Sequence, residues 1–253
     1  AAPDLKKWTK LSEFGKTYGG HGGVWECPDL FPMKVDGTGE TKWVLIVNIN
    51  PGGPNGGSVG QYFVGNFDGK TFTLDPKFAE QVPLGKGAWM DWGKDNYAAI
   101  TWSNVPDDRR LLIGWMSNWE YANQVPTGVW RNAMTLPREL SLVKAGAMHH
   151  LVSQPAKELQ ALRTKSVALE RMDISTPFDL TGKLGAPTTL SEMELEFELP
   201  KEAAGLVGVE LSNAKGETYR IGYDAKDKQF FSDRRKAGDS SFSEKFAANA
   251  SFA

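Results

Sequence analysis

Apolar and polar residues alternate with a period of two along most of the chain. In LSEMELEFEL, Met193, Leu195, Phe197 and Leu199 share one face and Glu192, Glu194, Glu196 and Glu198 the other, which predicts a half-buried strand. Further on, GLVGVEL, TYRIGY with Tyr219, Ile221 and Tyr223 in phase, and QFFSDR are separated by turn residues, so the last third reads as an antiparallel meander. In the middle, KWVLIVNI is a near-continuous apolar strand, and QYFVGNF and KTFTL form a hairpin over Asp68-Gly69. YAAITW and RLLIGWM pair across Pro106-Asp107-Asp108. Only KELQALRTKS, residues 157–166, carries a helical pattern. The pattern thus predicts an all-β protein with a first domain over 1–150, a linker over 151–165 and a second domain over 166–253. Four-stranded units of ~40–45 residues point to propeller blades, about three of them in residues 1–145. Three blades alone would leave apolar sheet edges open, so the chain is expected to be incomplete.

Charge narrows the partners. Lys+Arg 29 against Asp+Glu 31 gives a net charge of −2, which provides no positive field for nucleic acid or an anionic membrane surface. The apolar run WVLIVNI falls far short of the ~18 residues of a spanning helix, and AAPDLKKWTK lacks the order of a signal peptide. A single cysteine, Cys27, excludes an internal disulfide. Of the 9 tryptophans, six lie between Trp89 and Trp130. Indole rings serve a core, and their flat faces with an N–H at one edge also suit sugars.

The Gly-rich run NPGGPNGGSVG suggests a phosphate cradle, but the only GKT, Gly69-Lys70-Thr71, has Val64 where a P-loop needs its first glycine. His21, His149 and His150 are too scattered for a dedicated metal site, and the HH pair reads as solvated. No G-x-S-x-G is present, and Cys27 has no histidine at a diagnostic spacing. No metal or cofactor is called for. Carboxylates remain. Glu26 follows Trp25 in GVWECPDLFPM and precedes Pro28, which ends or bends the strand there. It is either a solvated acid at a turn or, in an apolar setting, an acid whose pKa rises from ~4.3 towards ~6–7, where it donates protons near neutrality. Asp91 and Asp95 in WMDWGKDNYAA lie among aromatics, with Lys94 as their nearest cation.

GVWECPDLF, GGSVGQYFVGNFDGKTF, DWGKDNYAA, GWMSNWEYANQVPTGVWRNAMTLPREL and FSDRRKAG, in this order, resemble glycoside hydrolase family 32, the β-fructosidases (levanases, inulinases, invertases). The resemblance implies part of a five-bladed β-propeller followed by a partial β-sandwich, and a retaining mechanism with Glu26 as general acid/base. It implies Asp91, Lys94 and Trp119 as substrate-binding residues, a fructan or sucrose substrate, and a secreted or periplasmic location. The family's nucleophilic aspartate and its fructosyl-gripping aspartate have no counterpart motif in these 253 residues. Both are expected before residue 1, on a complementary N-terminal segment, and the chain alone is expected to be inactive. Asn96 and Asn132 stand where the family more often has Phe and a small residue. The alternative reading is a non-catalytic fructan-binding module.

Overall fold

The computed structural model describes residues 1–185 and 189–253. Two four-stranded antiparallel sheets follow one another in the first domain. The first contains β1 (Val24–Lys34), β2 (Thr41–Asn50), β3 (Val59–Phe67) and β4 (Phe72–Leu74), in the order β1-β2-β3-β4. The second contains β5 (Tyr97–Thr101), β6 (Arg110–Trp115), β7 (Arg138–Ala145) and β8 (Met148–Pro155), also in chain order. Each is the up-and-down meander of a propeller blade. There are thus two blades here where the spacing predicted about three. Residues 1–23 form no strand and carry one isolated bridge, from Tyr18 to Pro83, and residues 116–137 are a long connection bridged once, by Met134 to Trp115.

The blades join face to face through a dry core. Phe31, Val44, Ile46, Phe63 and Val64 of the first sheet and Leu112, Leu140 and Leu142 of the second are all buried. Val35 and Leu142 form a parallel bridge, and Asp36 N–H donates to Leu142 O at 2.8 Å. β2 is a run of inward residues because both its faces are covered, which accounts for its unbroken apolar pattern. A charged cluster also links the blades. Lys42 on β2 and His149 on β8 meet Asp75, at 3.1 and 2.9 Å, beside a short helix α1 (Pro76–Ala79). His149 is therefore buried and partnered, not solvated as the HH pair suggested, because its position on β8 turns it inward.

The Asp68-Gly69 hairpin forms as expected, with Asp68 Oδ1 accepting from the N–H groups of Lys70 and Thr71, so the GKT sequence is a capped turn. The meander of the last third is also present. β9 (Leu206–Ser212), β10 (Thr218–Asp224), β11 (Gln229–Lys236) and β12 (Ser251–Phe252) make a sheet of order β12-β11-β10-β9.

Residues 157–203 form a separate compact unit. Lys157–Leu162 is a 3-10 turn where a helix over 157–166 was predicted, and Thr181–Leu184 is a one-turn helix. Within the unit, Arg163 pairs with Glu192, its Nε and Nη2 donating at 2.7 and 2.6 Å. The alternating segment LSEMELEFEL is not a strand. Among the described residues no strand pairs with it, and Met193, Leu195 and Phe197 stay more than a third exposed. Alternation encodes a face, but a strand exists only when a neighbour supplies its ladder.

Candidate active site

Glu26 sits on β1 where the strand register slips. It pairs with Asn48, the register shifts, and pairing resumes at Asp29. Cys27 takes a positive φ of 48° and Pro28 offers no N–H, so two residues are left over as a bulge. Pro28 bends the strand without ending it. The bulge aims the Glu26 carboxylate outward, where its Oε2 accepts a hydrogen bond from the Tyr97 hydroxyl of β5. Glu26 is exposed, so the apolar enclosure considered from sequence is not found. Three residues on, Asp29 Oδ2 accepts from both Thr101 N–H and Thr101 Oγ1, at 2.8 and 2.7 Å, which ties β1 to the second blade.

Aromatic rings continue from Tyr97. Its ring lies 6.5 Å from Trp115, and Trp115 lies 4.9 Å from Trp119, with the last two planes inclined at 58°. Trp115 Nε1–H donates to Asn132 Oδ1 at 2.8 Å, so the departure at Asn132 supplies an indole anchor. Asn132 has φ 88°, a conformation that asparagine tolerates better than most residues. Trp119 is 49% exposed, as a ring offered to a ligand must be.

Asp91 and Lys94 occupy the connection before β5. Asp91 Oδ2 meets Arg138 Nη2 at 2.8 Å and accepts from Asn96 Nδ2 at 3.2 Å, while Oδ1 accepts from Gly93 N–H at 2.8 Å. The other family departure, Asn96, is buried and holds Asp91. A Cβ on Gly114 would come within 2.2 Å of Asn96 Oδ1, so glycine is needed there. Lys94 does not pair with either neighbouring aspartate. Its Nζ reaches Glu120 Oε2 at 3.1 Å and the Lys245 carbonyl at 3.0 Å. Asp95 instead accepts from the Tyr121 hydroxyl at 2.6 Å and from Arg234 of β11. Arg234 also donates to Tyr121 Oη at 2.7 Å and to the Phe246 carbonyl at 2.9 Å, with its guanidinium 3.9 Å over the Phe246 ring.

Tyr97, Arg138 and Arg234 thus contact the candidate acids, and none stood out in sequence. Tyr97 lay inside DNYAA, where an aromatic in a strand reads as core, and the others depend on contacts between distant segments.

Burial, reinforced by Glu26, raises the Tyr97 hydroxyl well above the usual tyrosine range, and burial with the charge of Asp95 does the same to Tyr121 against the opposing pull of Arg234. The folded chain therefore keeps both phenolic protons after an unfolded chain, titrating at about 10, has lost them. This contribution to stability is complete below about pH 10 and is lost as pH rises above it. The urea midpoint is expected to fall as pH rises from 10 to 11, and Tyr97→Phe with Tyr121→Phe is expected to flatten that fall. An equal slope in the double variant would assign the loss to other groups.

Comparison with known proteins identifies the family. Residues 1–155 match the glycosyl hydrolases family 32 N-terminal domain, and residues 158–253 match the family 32 C-terminal domain. A levanase of Bacillus subtilis (strain 168) is 41% identical over 246 residues, spanning 96% of this chain and 35% of the relative. An extracellular exo-inulinase of Aspergillus niger is 41% identical over 252 residues, spanning 97% of this chain and 46% of the relative. The crystal structure of exo-inulinase from Aspergillus awamori superposes with a TM-score of 0.77 at 36% identity, over 100% of this chain and 48% of that one. The chain thus spans less than half the length of these relatives. With both domain models matched in order and the blade and meander sheets in place, the chain belongs to glycosyl hydrolase family 32.

Proposed function

We propose that the protein hydrolyses β-fructosidic bonds of levan, inulin or sucrose with retention, with Glu26 as general acid/base and Asp91, Lys94 and Trp119 binding the sugar. The observation that carries this reading is the connected run from the Glu26 carboxylate through Tyr97 and Trp115 to the exposed face of Trp119. It sets a proton donor and an indole platform on one line of contacts, in a family whose relatives are named levanase and exo-inulinase. Retention needs a second carboxylate about 5–5.5 Å from the first. That carboxylate attacks the anomeric carbon while Glu26 protonates the leaving oxygen. Glu26, then ionised, takes a proton from the water that breaks the fructosyl ester. The family's nucleophilic aspartate motif has no counterpart in these 253 residues, so we place the nucleophile outside them. The extracellular relatives support a secreted or periplasmic location, and residues 1–155 and 158–253 are taken as the two domains.

The test is fructose release from levan, inulin and sucrose by the full-length protein, with the anomer of the first product read by NMR. Release of the β-anomer supports the reading, and inversion refutes it. The absence of the nucleophilic aspartate motif also favours a second reading, a fructan-binding module without turnover. Retained affinity for inulin without fructose release would establish that one.

Trp119→Ala is expected to weaken inulin or fructose binding about tenfold while lowering the melting temperature little, because a half-exposed ring contributes little to packing. Truncating a core tryptophan would cost ~3–5 kcal/mol. A large fall in melting temperature with unchanged affinity would return Trp119 to a packing role.

A further inference from the structure

The Gly-rich run at residues 51–60 binds no phosphate by any motif, yet it wraps one buried carboxamide. Asn118 is 0% exposed. Its Oδ1 accepts from Ser58 N–H at 3.2 Å and Glu120 N–H at 3.0 Å, and its Nδ2 donates to the carbonyls of Lys94 at 2.9 Å and Ser58 at 3.4 Å. Gly57, at φ 69°, closes the collar. A Cβ there would fall 2.0 Å from Asn118 Oδ1, so no other residue leaves the carboxamide its place. The loop folds on itself, with the N–H groups of Gly52 and Gly53 donating to Gly57 O at 3.0 and 2.9 Å.

Ser58 is buried as well and completes the hold. Its Oγ donates to Asn50 Oδ1 at 3.2 Å and accepts the Trp119 N–H at 3.0 Å. The backbone of Trp119 is thus pinned by Ser58. The backbone of Lys94 and that of its ionic partner Glu120 are pinned by Asn118. Two sugar-binding candidates from segments 25 residues apart in sequence are indexed to one carboxamide.

We propose that Ser58 and Asn118, held in the glycine collar, are positioning residues that set Trp119 and Lys94 at the fructosyl subsite. This rests on the reading of Trp119 as a sugar platform. A buried polar hub with its partners made is rigid, and it loses that rigidity when a single acceptor is removed.

The test is kinetic, on inulin with the full-length protein, using Ser58→Ala, Trp119→Ala and the double variant. Asn118→Asp, which cannot donate to the Lys94 carbonyl, serves as a harsher fourth variant. Losing the hydroxyl that accepts the Trp119 N–H and donates to Asn50 is expected to raise KM about fivefold in Ser58→Ala with kcat within about twofold, as for a hydrogen bond expressed in binding. Because Ser58 acts through Trp119, adding Ser58→Ala to Trp119→Ala should change KM by less than about twofold. Two outcomes overturn the proposal: a lower melting temperature in Ser58→Ala with unchanged KM, or effects of the two substitutions that simply multiply. Unchanged KM in Trp119→Ala alone would instead overturn the platform reading itself, and this proposal with it.

Discussion

Glu26→Gln in the full-length protein is expected to cut hydrolysis of inulin and levan by about 10²-fold or more, since general acid catalysis contributes about 10²–10⁴-fold. The amide cannot protonate an alkoxide leaving group. A fructosyl substrate with an acidic leaving group needs no such proton in the first step and is expected to lose much less. The contrast separates a proton donor from a residue that merely shapes the site. The outward aim of the β1 bulge and the single hydroxyl partner, Tyr97, leave the second carboxylate oxygen free for that proton. Equal, mild losses on both substrates would remove Glu26 from the chemistry.

Arg234→Ala is expected to destabilise the fold by about 3 kcal/mol, the lower range for leaving a largely buried charge unpaired. For a chain of this size that is about 6–12 °C in melting temperature. All three guanidinium nitrogens are in use, on Asp95, Tyr121 Oη and the Phe246 carbonyl, and the cation faces the Phe246 ring. The alanine variant strands Asp95, 25% exposed, beside a buried phenol. Arg234→Lys is expected to recover little, because one ammonium cannot reproduce a planar fork. A loss under 1 kcal/mol in Arg234→Ala would show that water replaces the guanidinium at no great cost.

The apolar run of β2 and the patterning of the β3–β4 hairpin, the β5–β6 pair and the β9–β11 meander located those strands, because in each case the partner strand lies next in sequence. Period-two alternation misassigned LSEMELEFEL for the complementary reason: its polar and apolar faces are plain, but no adjacent segment supplies a ladder. Blade number was overestimated because it came from spacing alone, which counts residues 1–23 and 116–137 although neither stretch forms a strand of a four-stranded sheet. For the site, Glu26 was legible from its motif and from Pro28, which marks the bulge. The pairing of Lys94 was not. Two aspartates flank it in sequence, yet the turn of the chain carries them to Arg138 and Arg234 and leaves Lys94 to Glu120. Sequence proximity predicts ion pairs on a helix, where neighbours three or four apart face one another. In an irregular connection it does not. Ser58 and Asn118 were invisible for the same reason, since a carboxamide collar exists only when segments 60 residues apart meet.

Asn55, in the glycine collar, carries a further consequence. Its side-chain amide bonds both the N–H and the carbonyl of Phe252 on β12, at 3.1 and 2.9 Å, as a neighbouring strand's peptide would, across 197 residues of chain. Lys94 reaches Lys245 across 151. The entropy of closing a loop grows with the logarithm of its length, so these are among the costliest closures in the molecule, far beyond the short turns that join successive strands. Closures of this length are expected to form late in folding, after the local pairing of the blades.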